Sequence, residues 1–314
     1  MRYVVTGGAG FIGSHLVEEL VRQHHEVVII DNLSSGKREN IAPFLSDSRV
    51  TFIQGSITDL PLLKEHFFGA NGVFHEAAIA SVPLSVVDPS ETNDVNLAGT
   101  LNVLIAARDC GVKKVVFASS AAVYGDDPEL PKRESMMPDP LSPYAVTKLA
   151  GEYYCSVFSR LYGMQCVSLR YFNVFGPRQD PGSPYAGVIT KFITNTLAHK
   201  PVTIFGDGNQ TRDFVYVKDV VRANILAMEA GKAGVFNVAR GSRLNLLGLL
   251  EIISDVCGET VPVTFAAAAP GDVRDSVADI SLITKYFGYH PRYSIPAGLE
   301  ETLGWFRVAN ADTR

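Results

Sequence analysis

The chain has 314 residues, 46% hydrophobic and 19% charged, with a net charge of −5. That is the make-up of a globular protein with one large or two intimate domains. The acidic balance, without any Lys/Arg cluster, argues against a nucleic-acid surface; no apolar run is long enough to span a bilayer, and the polar Arg2 start followed by a strand does not read as a signal peptide. Four cysteines and seven histidines show no ligand spacing, so no metal is expected, and the cysteines read as free thiols in a reducing cytoplasm.

The first predicted strand, 3–6, runs into Gly7, Gly10 and Gly13, and a helix follows over 12–23. This order suits a dinucleotide pyrophosphate resting on a helix N-terminus: Gly7 for the tight turn, Gly10 for close approach of the phosphates, Gly13 for packing of helix on sheet. The next strand, 27–30, ends at Asp31, 18 residues beyond Gly13, where a carboxylate can accept both adenosine ribose hydroxyls. Asp31 would repel a 2′-phosphate, so NAD is the expected cofactor.

Further strands are predicted at 51–54, 72–74, 114–118 and 166–169, alternating with helices at 60–67, 92–109 and 142–162. Such alternation implies a Rossmann-like α/β fold, a doubly wound parallel sheet with helices on both faces. After residue 172 the rhythm breaks into a turn-rich stretch at 176–184, a helix at 188–198, a strand at 202–205 and a glycine turn at 206–208. The expected division is a cofactor domain at 1–172, with 213–238 returning to it. A smaller α/β substrate-binding region would comprise 173–212 and 239–314. Ligands would lie beyond the carboxyl ends of the strands.

Tyr144 and Lys148 are four apart on the helix after Pro143, so they share a face. A nearby ammonium and a bound nicotinamide cation favour the phenolate, so Tyr144 is expected to have a lowered pKa and to act as base or acid near neutrality. The fifth strand ends in Ser119-Ser120, where Ser120 can hydrogen-bond the oxygen that Tyr144 deprotonates. Asn96 either supports this edge or makes a structural hydrogen bond.

The chain resembles an extended short-chain dehydrogenase/reductase, and most closely the nucleotide-sugar 4-epimerases, the UDP-glucose/UDP-galactose or UDP-N-acetylglucosamine 4-epimerase family. Nearly the whole length carries the likeness: Thr6–Gly13, Asp31–Ser34, His75–Ala78, Ser119–Gly125, Tyr144–Lys148, Arg170–Val174, Gly206–Phe214 and Gly271–Ser276. The resemblance implies Ser120, Tyr144 and Lys148 as catalytic residues. It implies a cofactor site of Gly7, Gly10, Phe11, Ile12, Gly13, Asp31, Asn32, Ser34, Ser56, Ile57, Ala77, Ala78, Ile79, Asn96, Ala118, Tyr171 and Phe172, besides Tyr144 and Lys148. Around the substrate it implies Ser81, Ala121, Asn173, Val188, Lys191, Phe192, Thr203, Phe205, Arg212, Arg274 and Ser276. Asn173 would touch the diphosphate, Phe205 would pack on the base, and Arg212 and Arg274 would clamp the phosphates. The helices at 92–109 and 142–162 match those of a four-helix dimer bundle in relatives, so a homodimer is expected.

Three departures stand out. Ser56 replaces an aspartate for the adenine amino group, leaving Ile57 and backbone groups. Ala269 replaces a phosphate-binding arginine, so Arg274 or Arg178 must take its share. Ala122 replaces a threonine or serine. Ala121 and Ala122 also stand where 4,6-dehydratases carry an Asp-Glu pair and UDP-xylose-forming decarboxylases a glutamate, and alanine can neither give nor take a proton. The Cys-His pair of a 3,5-epimerase/reductase is missing from the matching place. The expected reaction is therefore NAD-mediated oxidation of a UDP-hexose at C4′ and re-reduction on the opposite face, with UDP-glucose/UDP-galactose and the N-acetylated pair as substrates. UDP-glucuronate 4-epimerisation, or other NAD-dependent chemistry on a nucleotide sugar, is the alternative. A non-catalytic NAD-binding regulator is the reading from another class, and it would show no cofactor reduction with a nucleotide sugar. Ser276 is small where relatives confined to glucose and galactose carry tyrosine.

Overall fold

A computed structural model describes residues 1–181, 187–267 and 274–311. In chain order the first half contains β1 (Arg2–Thr6), α1 (Phe11–Arg22), β2 (Glu26–Asp31), β3 (Val50–Gln54), α2 (Leu60–Phe67) and β4 (Gly72–His75). Then come α3 (Val82–Val87), α4 (Pro89–Asn93), α5 (Gly99–Asp109), β5 (Lys114–Ser120), α6 (Pro143–Tyr162) and β6 (Gln165–Tyr171). These strands, joined by a late one, form a seven-stranded sheet with every neighbour parallel. Strands such as β2, with five consecutive buried residues, read as continuous apolar runs because both faces are covered. One face packs Leu16, Val17 and Ile29 with Val220 and Phe236; the other packs Val28, Leu63, Val103 and Phe158.

The second half adds β7 (Asn173–Phe175), α7 (Val188–Leu197), β8 (Val202–Phe205), β9 (Thr211–Arg212), β10 (Phe214–Tyr216) and α8 (Val217–Glu229). It continues with β11 (Gly234–Val238), β12 (Leu244–Asn245), α9 (Leu246–Cys257), β13 (Val263–Ala266), α10 (Ser281–Phe287) and α11 (Ile295–Ala311). The sheet order is β11-β6-β5-β4-β1-β2-β3, so residues 234–238 extend the main sheet beside β6. The short pairs β7–β10, β9–β12 and β8–β13 stand apart from it. Phe192, Ile204, Leu249 and Phe306 sit in a third core between α7, α9 and α11.

The helix expected at 92–109 is interrupted: Asp94–Ala98 forms a π turn between α4 and α5. The widened turn coincides with Asn96, whose side chain bonds outside its own helix (below). α6 follows its sequence signals closely, with Ser142 capping the N-terminus through Ala145 N–H, Pro143 in the first turn and Gly163 in the left-handed conformation at its end.

Candidate active site

The cleft runs along the carboxyl edge of the sheet, and its cofactor end is a backbone cradle. Gly7 has φ +70°, and a Cβ there would lie 2.6 Å from Ala77 N; at Gly13 it would lie 2.2 Å from the Gly7 carbonyl oxygen. Only glycine allows α1 this close to the first turn. Gly10 is the N-cap of α1 and offers no side-chain cap, which leaves the first-turn N–H groups of Phe11, Ile12 and Gly13 to a phosphate. Asp31 is buried and accepts from Ala9 N–H at 2.9 Å and Leu33 N–H at 2.8 Å, which fixes its carboxylate at the strand end. Asn32 accepts from Ser34 N–H and shapes the same loop. These residues fit a dinucleotide.

Ser56 does not reach outward as an aspartate would: its hydroxyl bonds Thr58. The Ile57 side chain is core, packed on Gly99, so the backbone is what Ile57 offers. Ala77, Ala78 and Ile79 form the turn after β4. Asn96 holds that turn, accepting from Ile79 N–H at 2.8 Å and donating to the Ile79 carbonyl and to Thr147 Oγ1. Asn96 is only 2% exposed and its amide is committed to these bonds. Phe172 likewise lies inward, tilted against Tyr124.

Ser120, Tyr144 and Lys148 come together at the end of β5. The Ser120 oxygen accepts from Ala122 N–H at 3.1 Å, and the Ser120 hydroxyl is near enough to the Tyr144 phenol to pull its pKa down. Lys148 donates to the Ala118 carbonyl at 2.8 Å, with Nζ 5.2 Å from the Phe117 ring centre and 5.7 Å from that of Tyr144. The lowered phenol pKa expected from the sequence is reversed: burial pushes Tyr144 up, opposed by the Ser120 hydrogen bond. One N–H of the ammonium goes to the Ala118 carbonyl, and burial pushes Lys148 itself down to about 8, against the pull of Glu76.

The substrate end is a cleft of about 520 Å³ whose walls include Asn173, Val188, Lys191, Phe192, Thr203, Phe205, Gln210 and Arg212. Phe205 is 52% exposed, free to take a flat ring on its face. Arg274 is already paired with Asp207 at 3.0 and 3.1 Å, and Arg212 donates to the carbonyls of Thr211 and Arg274. Ser276 N–H bonds the Thr211 carbonyl, which joins its segment to that of Arg212. Ser81 caps α3 through Leu84 N–H, and Ala121 opens the turn beside Ser120. Arg178, the other arginine considered for the phosphate charge, is already engaged. It lies against α1, 2.6 Å from Glu18, because the His15 bond to the Pro177 carbonyl and a left-handed φ of +65° turn it toward the cofactor half. Ala269 itself, and 271–273 of the last motif, lie outside the described residues.

Two groups escaped sequence reasoning. Glu152 and Arg170 form a buried bidentate ion pair at 2.7 and 2.8 Å, with Ser119 donating to the same carboxylate at 2.5 Å, so β5, α6 and β6 are tied just beneath Ser120. Glu76, next to Ala77, hydrogen-bonds Tyr171. Glu152 lies four residues past Lys148, a helical spacing that could have flagged it; Glu76 stands within the His75–Ala78 motif, but its bond to Tyr171 has no local sign.

Residues 3–239 match the model of the NAD dependent epimerase/dehydratase family. The chain belongs to that family. A UDP-glucose 4-epimerase of Mycolicibacterium smegmatis is 40% identical over 312 residues, covering 98% of this chain and 99% of that one. A UDP-N-acetylglucosamine 4-epimerase of Methanobrevibacter ruminantium, solved with UDP-N-acetylmuramic acid, superposes with a TM-score of 0.95 at 45% identity and 98% coverage of both chains. A Thermus thermophilus UDP-glucose 4-epimerase solved with NAD gives 0.90 at 40% identity, covering 98% of this chain and 100% of that one. Family membership and the glycine cradle agree on the cofactor, NAD.

Proposed function

We propose that the chain is a UDP-sugar 4-epimerase, an isomerase that inverts C4′ of a UDP-hexose. One observation carries this reading: Ser120, Tyr144 and Lys148 are gathered at the end of β5, while the following positions are Ala121 and Ala122. The site has a base for the C4′ hydroxyl and no acid–base pair there for elimination at C5′ and C6′. Bound NAD supplies the reversible two-electron oxidation and, when oxidised, a positive charge that stabilises the phenolate, help that burial makes necessary. Tyr144 takes the O4′ proton and returns it, and Ser120 hydrogen-bonds that oxygen. Arg212 and Arg274 hold the diphosphate by charge-assisted bonds, Asn173 touches it, Lys191 lines the nucleotide side, and Phe205 stacks on the base. Holding the nucleotide and leaving the hexose loose lets the sugar present either face. Residues 1–172 with 213–238 form the cofactor half, and 173–212 with 239–314 the sugar-nucleotide half.

The named relatives support the substrate class, and the small Ser276 supports room for an acetamido group. A coupled assay on UDP-glucose, UDP-N-acetylglucosamine and UDP-glucuronate tests the reading: C4′ epimers of the first two are expected. Release of a 4-keto-6-deoxy sugar, or turnover of UDP-glucuronate alone, overturns it. Ser276→Tyr should suppress the N-acetylated reaction selectively, since overpacking a formed site costs about 1–3 kcal/mol.

The homodimer belongs to the same proposal. Val146, Tyr153, Val157 and Leu161 are all exposed and follow one another at helical spacing on α6, an apolar stripe suited to a second copy. Light scattering should give a dimer, and Tyr153→Glu with Val157→Lys a monomer; a monomeric wild type removes this part. Four free thiols, two of them buried, fit the cytoplasm as the compartment.

A further inference from the structure

Two motifs of the sequence, Ser119–Gly125 and Arg170–Val174, each begin with a residue that the reaction above does not use. Both residues belong to one row. In the parallel register Ser119 of β5 stands beside Arg170 of β6, and Arg170 beside Asn237 of β11. Residues paired in this way point to the same face, so three polar side chains cross the carboxyl edge of the main sheet together. All three are buried, where polar groups must find their partners within the protein.

The row grips two side chains. On α6 it takes the Glu152 carboxylate: Arg170 holds it through Nε at 2.8 Å and Nη2 at 2.7 Å, and Ser119 donates to it at 2.5 Å. Beyond the end of β5 it takes Tyr124. The Arg170 guanidinium carbon lies 4.6 Å from the centre of the Tyr124 ring, a cation–π contact. The Tyr124 hydroxyl donates to Asn237 Oδ1 at 2.7 Å, and Asn237 is itself fixed by donating its amide to the Lys132 and Asp279 carbonyls. Arg170 stands in the middle and serves both grips.

Ser120 lies between them. Ser119 precedes it, and Tyr124 ends the short helical turn Ala121–Tyr124 that Ser120 caps through Ala122 N–H. The chain therefore leaves the row at Ser119 and returns to it at Tyr124, with Ser120 at the start of the arch. We propose, resting on the reading of the chain as a UDP-sugar 4-epimerase, that Arg170 is a positioning residue for Ser120: by holding Glu152 together with Ser119 on one side and the Tyr124 ring on the other, it fixes the arch from which Ser120 reaches the substrate oxygen beside Tyr144. The benefit is one of placement, since a shift of about 1 Å at a reacting group can cost about 10²-fold in rate. It acts through Ser120, so it vanishes when Ser120 has no hydroxyl.

The test is a double-mutant cycle on the enzyme purified with its NAD. Arg170→Lys keeps a cation for Glu152 but loses the bidentate fork and the flat face against Tyr124. Tyr124→Phe keeps the ring and loses the bond to Asn237. Each is made alone and on Ser120→Ala. Alone, Arg170→Lys should lower kcat about tenfold and Tyr124→Phe about threefold, with KM close to wild type. On Ser120→Ala each should add less than about twofold. An equal loss with and without the Ser120 hydroxyl, or a kcat for Arg170→Lys within about twofold of wild type, overturns the proposal. If Arg170→Lys does not fold, Ser119→Ala combined with Tyr124→Phe takes its place, with the same expected loss and the same overturning results.

Ionisation of Tyr144 gives a second readout that needs no turnover: phenolate absorbance, with Tyr144→Phe as the blank. Ser120 pulls the Tyr144 pKa down, and Lys148, with Nζ 5.7 Å from the phenol ring centre, is unchanged in every variant. The midpoint should rise in Arg170→Lys as it does in Ser120→Ala, and no further when the two are combined. An unmoved midpoint in Arg170→Lys overturns the proposal. A midpoint that moves in this way in protein that epimerises no UDP-sugar leaves this inference standing and removes the epimerase reading alone.

Discussion

On the sheet side of the cleft the polar groups are buried and already bonded: Asp31 to Ala9 and Leu33, Asn96 to Ile79 and Thr147, Glu152 to Arg170. Across the cleft, Phe205 is 52% exposed and the Arg274 side chain 62% exposed, its guanidinium lent to Asp207 in solvent. The first arrangement is made for a ligand that stays, since its site is held in shape by contacts that do not depend on the ligand. The second suits a ligand that exchanges every cycle, since its groups trade a solvated partner for the diphosphate at small cost. Variants on the two sides should therefore fail in different ways.

The largest expected effect lies where the two sides meet. Tyr144→Phe keeps the ring and removes the proton acceptor, so kcat should fall about 10²–10⁴-fold, the usual worth of a positioned general base. The NAD content of the purified variant should stay at the wild-type level, and near-normal turnover would remove Tyr144 from its role. Next comes the buried pair on the sheet side. Glu152→Ala strands the Arg170 guanidinium in the core, where both side chains are almost inaccessible, and should cost about 3–5 kcal/mol of stability by denaturant unfolding.

A smaller effect should appear with pH. His75 is buried between Thr6 and Thr100, and burial lowers its pKa from 6.5 to about 3. Below pH 6.5 the unfolded chain binds a proton that the native chain refuses, so stability falls as pH drops toward 3. His75→Asn should flatten that slope by about 1.4 kcal/mol per pH unit relative to wild type between pH 6 and 4. Equal slopes would show that the histidine is charged in the native protein. The smallest effect belongs to the solvent side. Arg274→Ala should raise KM roughly twofold to fivefold and leave kcat and melting temperature unchanged, as for an exposed charge pair. A loss of stability there would erase the contrast between the two sides.

What the sequence revealed follows the same divide. The glycine cradle, Asp31 and the Tyr144–Lys148 pair are local patterns, set by the geometry of one turn or one helix, and could be read directly. The parallel sheet was legible because its strands are long apolar runs; β9, β10 and β12 are two or three residues long and carry no period. Contacts across the chain were hidden: Arg178 on Glu18, 160 residues away, and Glu76 on Tyr171, 95 residues away. The Tyr144 pKa was misjudged because spacing shows that an ammonium is near but not that it bonds the Ala118 carbonyl, nor how strongly burial opposes ionisation.

The place of β11 has a consequence for synthesis. It lies at the edge of the main sheet beside β6, yet 62 residues separate the end of β6 at Tyr171 from its start at Gly234, and β7, α7, β8, β9, β10 and α8 emerge from the ribosome in between. Until then β6 is an uncovered edge with free N–H and C=O groups, the kind of template that recruits foreign strands. The main sheet cannot close at this edge before residues 173–212 and α8 have been made, and a chain cut after residue 172 would keep that edge open.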